Sequence, residues 1–74
     1  MIYTTSATMN YLMHIEKMSM KDIRILLGER LADTRMFLNS KKNFSKQNYL
    51  DIISKFPHLE GKIEFYENVK LKDK

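Results

Sequence analysis

The chain has 74 residues, room for a single small domain, 1–74, with a marginal core. It has no cysteine, and its two histidines, His14 and His58, stand far apart, so neither a disulfide framework nor a structural zinc site is expected. Thirteen Lys/Arg against nine Asp/Glu give a formal charge of +4, which suits a solvated surface as well as it suits nucleic-acid affinity. No apolar stretch approaches the ~20 residues of a membrane span, and no basic flank with an apolar run opens the chain. The expected location is the cytoplasm. The wealth of Lys, Ile, Met, Asn and Tyr, with little Gly, Ala or Pro, is what AT-rich coding yields in low-GC bacteria and their phages.

Taken in chain order, Thr5 or Ser6 can cap a first helix running to about Met18, with Met9, Leu12, Met13 and Glu16 on one short stripe. Ser19 followed by Asp22 is a second start signal. The helix it opens carries the longest stripe in the chain: Ile23, Leu26, Leu27, Leu31, Thr34 and Leu38. Gly28 interrupts that stripe at a cost of about 1 kcal/mol relative to alanine, and a kink there is the plainest expectation. "NSKKN", residues 39–43, reads as a polar turn. Ser45 then caps a third helix with Tyr49, Ile52, Ile53 and Phe56 on one face, stopped by Phe56-Pro57.

The tail, "KIEFYENVKLK", has two readings. As a hairpin around Tyr66-Glu67-Asn68, Ile63 faces Leu71, Phe65 faces Val69, and Glu64 pairs with Lys70 on the other side. As a helix, Leu59, Ile63 and Tyr66 share a stripe with Gly61 inside it. The hairpin is preferred. The expected fold is therefore mainly α, three helices plus a C-terminal β-hairpin, as in a winged helix-turn-helix, with an all-α repressor-type bundle as the alternative.

Several stretches resemble the repressor-type helix-turn-helix regulators of bacteria and phages. They are Gly28-Glu29-Arg30-Leu31, Arg35, Phe44-Ser45-Lys46-Gln47, and Ile63-Glu64-Phe65-Tyr66-Glu67-Asn68. Val69 departs from the glycine that closes the family's pattern, and the connecting segments are longer than in the family. The resemblance implies a non-enzymatic DNA-binding regulator whose partner is double-stranded DNA. With a hairpin tail the third helix becomes the reader. Ser45, Lys46, Gln47 and Asn48 then supply base or phosphate contacts, and Lys41, Lys42, Lys62 and Lys70 neutralise phosphates.

A second class of partner is a protein. Gln47-x-x-Leu50-x-x-Ile53 resembles the glutamine-plus-aliphatic peptides that dock on DNA sliding clamps. It fits a phage-type inhibitor of a host replication or transcription protein. Met9, Met13, Met18, Met20 and Met36 serve such a surface, or simply fill gaps in a helical core. A homodimer is expected, because so short a chain has little core of its own. No nucleophile–base–orienter set, phosphate loop or metal-ligand spacing is visible, so neither catalysis nor a cofactor is expected.

Overall fold

The computed structural model describes residues 2–66. Four α-helices follow one another: α1 (Thr5–His14), α2 (Met20–Leu27), α3 (Leu31–Leu38) and α4 (Lys46–Lys55), with a 3₁₀ turn at Pro57–Leu59. Helix α1 packs against α3, α2 packs against both α3 and α4, and α4 packs against the 3₁₀ turn. Their shared core is Met9, Leu12, Ile23, Leu27, Phe37, Phe44, Tyr49, Ile52, Leu59 and Ile63. Fully burying side chains of this kind contributes about 1.5–3 kcal/mol each.

The helix starts follow local chemistry. Ser19 and Asp22 form a reciprocal capping box, in which the Asp22 N–H donates to Ser19 Oγ (3.0 Å) and the Ser19 N–H to Asp22 Oδ2 (3.2 Å). Ser45 and Asn48 do the same for α4. Thr4 caps α1 in place of the expected Thr5 or Ser6. Thr5 is instead buried, its Oγ1 accepting the Phe44 N–H at 3.0 Å and tying the loop before α4 to α1. Helix α1 also stops at His14, short of the expected Met18, as Lys17 turns left-handed (φ 61°) and the Met18 N–H returns to the Leu12 carbonyl.

Two expectations are corrected. The long stripe from Ile23 to Leu38 belongs to two helices. Gly28 takes φ 67°, ψ 31°, the left-handed conformation that glycine adopts without strain. The Glu29 N–H then bonds the Arg24 carbonyl (3.0 Å) and the Gly28 N–H the Ile25 carbonyl (3.3 Å), a complete Schellman closure. Gly28 therefore ends α2 and does not kink a longer helix.

The winged architecture of three helices plus a hairpin is also wrong. The described residues contain four helices and no strand, only isolated parallel bridges, Tyr3 with Ile63 and Ser45 with Tyr66. Lys62 closes the turn after Leu59, and residues 63–66 then run alongside Tyr3 and Phe44. The Tyr3 N–H donates to the Lys62 carbonyl (2.7 Å), the Glu64 N–H to the Tyr3 carbonyl (2.8 Å) and the Tyr66 N–H to the Phe44 carbonyl (2.9 Å). Those bonds exclude the helical reading of this run as well. Packing fixes it further: Ile63 is buried and Phe65 stacks on Tyr49 at 4.4 Å. The expected return arm, 69–71, lies outside the described residues.

Candidate nucleic-acid interface

Helices α2 and α3 are each eight residues long and are joined by a short turn, Gly28 to Arg30. Their inner positions are Ile23, Leu27, Thr34 and Phe37, all buried. The buried Thr34 hydroxyl is satisfied by donating to the Arg30 carbonyl (2.9 Å), as a buried polar group requires. Phe37 packs on Phe44, ring centroids 5.0 Å apart. Helices α2 and α3 are thus joined by a glycine turn and packed against each other through a common core.

Helix α3 carries an outward stripe, beside Leu31, which is also exposed. Ala32, Arg35 and Met36 are exposed, as is Asn39 at its C-terminal cap. The spacing i, i+3, i+4, i+7 puts all four on the same face. Their chemistry suits base edges: a guanidinium for guanine, a carboxamide for adenine, and small or apolar groups for thymine methyls. The Arg35 side chain has no hydrogen-bond or ion-pair partner among the described residues.

A polar network ties this unit to α4. Asp33 lies between Arg30 (Nε to Oδ2, 3.1 Å) and Lys42 (Nζ to Oδ1, 3.5 Å). Lys42 also meets Glu29 (3.9 Å) and sits over the Phe37 ring at 5.5 Å. Asn48 Nδ2 donates to Glu29 Oε2 (3.2 Å), closing the path to the α4 cap. The Arg30 guanidinium, donating to Asp33, together with the Lys42 charge, holds the Asp33 carboxyl below the usual carboxylate range. Ser19, through its backbone N–H and then its hydroxyl, does the same for Asp22.

The residues expected to bind DNA divide into two groups. Lys41, Lys46, Gln47 and Lys62 are exposed. Gln47 donates to Asp51 Oδ1 at 3.0 Å. Lys42, Ser45 and Asn48 have structural employment: Lys42 is half-buried in its ion pairs, Ser45 is the cap, and Asn48 is 4% exposed. Asn48 Oδ1 accepts both the Ser45 N–H (2.9 Å) and the Ser45 hydroxyl (3.0 Å). Lys70 lies outside the described residues. In the Gln47-Leu50-Ile53 series, Leu50 is 41% exposed while Ile53 packs against the core. Three-residue steps drift around a helix, so the three do not share one open face.

Read as an interruption, Gly28 hides from the sequence the face that Ala32, Arg35, Met36 and Asn39 share on α3. Placing glycine just past the last periodic residue, Leu27, gives an α2 that ends there and a separate α3 with its own phase.

Two other features lie away from α3. Tyr11 Oη donates to Glu16 Oε2 (2.8 Å) and lies 2.9 Å from His58 Nε2, which is 3.5 Å from the same carboxylate. The bond to Glu16 raises the Tyr11 pKa, with burial adding to it. This clasp joins the end of α1 to the 3₁₀ turn. A shallow groove of about 480 Å³ is lined by Glu16, Lys17, Met18, Asp22, Ile25, Leu26 and Lys55. Comparison with protein families, curated proteins and solved structures gave no match, so function is read from this geometry.

Proposed function

We propose that the chain is a non-enzymatic DNA-binding regulator of helix-turn-helix type, in which α2 and α3 form the motif and α3 enters the major groove. The observation that carries this reading is the outward stripe Ala32, Arg35, Met36 and Asn39 on a helix fixed from behind by Thr34 and Phe37. Relative to the sequence-based site, the reader moves from α4 to α3. Lys41, Lys46, Gln47 and Lys62 remain candidates for the phosphate backbone, while Lys42, Ser45 and Asn48 hold the scaffold. A homodimer on two half-sites in the cytoplasm completes the proposal, since one short helix reads few base pairs.

The test is duplex binding by fluorescence anisotropy over a salt series. The logarithm of affinity should fall linearly with log salt, and Arg35→Ala should weaken binding to a selected site by about tenfold. No binding of the unaltered chain at low salt would overturn the reading. Weight would then pass to capture of a host protein through exposed apolar side chains such as Leu50 and Ile25.

A further inference from the structure

We propose that the groove formed by the segment after α1, the outer side of α2 and the end of α4 is where a second copy of this chain docks, with Ile25 of each copy seated in the groove of the other. The inference gives the proposed homodimer its interface and stands without any assumption about DNA.

The groove, about 480 Å³, combines an apolar floor with an apolar knob. Met18 and Leu26 pack down against the core, while Ile25 beside them is 60% exposed. On α2 the inner positions Ile23 and Leu27 are buried, and Ile25, two residues from each, projects from the opposite side of the helix. The capping box at Ser19 and the closure at Gly28 fix α2 at both ends, so the knob is presented with little ordering left to do.

Charge selects the occupant. Two acids, Glu16 and Asp22, stand with two lysines, Lys17 and Lys55, so the groove is neutral on a chain of formal charge +4. Two copies of a cationic chain repel, and a neutral patch carrying both signs is where they approach at least cost. A two-fold contact sets the same patch on both sides, so the patch must complement itself. Equal acids and lysines do so, whereas nucleic acid would meet two opposing carboxylates. Among the described residues neither Lys17 Nζ nor Lys55 Nζ has a hydrogen-bond or ion-pair partner, Lys55 only lying over the Phe56 ring at 5.7 Å. Glu16 and Asp22 bond within the chain through Oε2 and Oδ2, which leaves each a second oxygen for the partner's lysines.

The backbone of Lys17 points the same way. Its φ of 61° lies in the left-handed region that glycine enters freely and lysine only against strain. Just past a helix end glycine is the usual residue, so a lysine side chain is kept on this groove at a local cost. None of Ala32, Arg35, Met36 and Asn39 lines the groove. The dimer therefore leaves the α3 stripe open, and the short turn from α2 to α3 holds the two stripes at one spacing, as paired half-sites need.

Sedimentation equilibrium of the full chain without DNA, from about 1 μM to about 1 mM, tests the interface. The mass should rise from one copy to two, with half-association in the micromolar range of a small contact. Ile25→Lys keeps a good helix former at an exposed position and should weaken association roughly tenfold or more, with its melting curve in dilute solution unchanged. Lys17→Gly should melt higher, because the strain is gone, and yet associate less, a pair of changes that a purely structural lysine would not give. Leu50→Lys, at an exposed apolar residue of α4 outside the groove, should associate like the parent. A chain that stays monomeric at the highest concentration, or a dimer that survives Ile25→Lys, overturns the inference. Growth beyond two copies does so as well, since a two-fold contact closes on itself. A dimer that binds no duplex would sink the DNA-binding reading alone, and a strict monomer that binds duplex would sink this inference alone.

Discussion

The N-termini of α3 and α4 look alike in function and differ in employment. Helix α4 opens with Ser45, Lys46, Gln47 and Asn48, a polar run that invites a DNA-reading interpretation. Yet Ser45 and Asn48 close on each other, and Asn48 reaches on to Glu29. Helix α3 opens with Arg30, caps nothing and sends its guanidinium outward. Polar residues at a helix start are more often committed to the orphan N–H groups of that helix than to a ligand. The start that declines to cap is the more informative one.

Emptying the shared core should cost the most stability. Phe37 is fully buried and packs on Phe44, just before α4, so Phe37→Ala should destabilise the fold by about 3–5 kcal/mol. Chemical denaturation will measure it, and a loss under 1 kcal/mol would mean that α3 is not anchored as described. Asn48→Ala comes next, at about 2 kcal/mol, because a buried carboxamide with bonds to Ser45 and Glu29 is removed. On the proposed reading, its affinity for duplex DNA should match that of the parent once folding is corrected for.

Arg30→Ser sharpens the contrast from the other side. It supplies the missing cap in exchange for the exposed bond to Asp33 and should stabilise the chain by up to about 1 kcal/mol. A variant no more stable than the parent would mean that the bond to Asp33 already offsets the missing cap. Gly28→Ala should cost a similar ~1 kcal/mol, from the left-handed backbone alone, since an added Cβ meets no atom within 4 Å.

The smallest effect is one of pH. Asp33 and Asp22 have folded-state pKa values below their ordinary ones. Their contribution is therefore present above the unfolded carboxyl pKa and is lost as pH falls through the lower folded values. Melting temperatures followed downward from pH 5 should decline less in Asp33→Asn than in the parent. Equal slopes would place the Asp33 carboxylate outside its network.

Much of the scaffold is legible in the sequence because its signals are local. Ser19 with Asp22, Ser45 at α4, the turn at 39–43 and the stop before Pro57 are all where a residue-by-residue reading puts them. Gly28 is ambiguous because kink and terminus share one letter, and only the backbone angle separates them. Arg30 gives no start signal after it, so α3 merges with α2 by periodicity, and Phe37 falls off a stripe carried across the break. The tail misleads for a different reason. Ile63 and Phe65 alternate as in a strand, but the partner of this segment is Tyr3 at the other end of the chain, and a sequence scan favours the neighbour. The site inherits the first error: with one helix where there are two, its outward face is never drawn.

On the proposed reading, α3 and not α4 meets the duplex. It is tested most directly by ¹⁵N–¹H spectra of the full chain titrated with a selected DNA site at low salt. Shifts should concentrate at Arg30 to Asn39, with Asn48 and its cap little changed. Shifts centred on residues 45–48 and sparing α3, or none at all, would contradict the account.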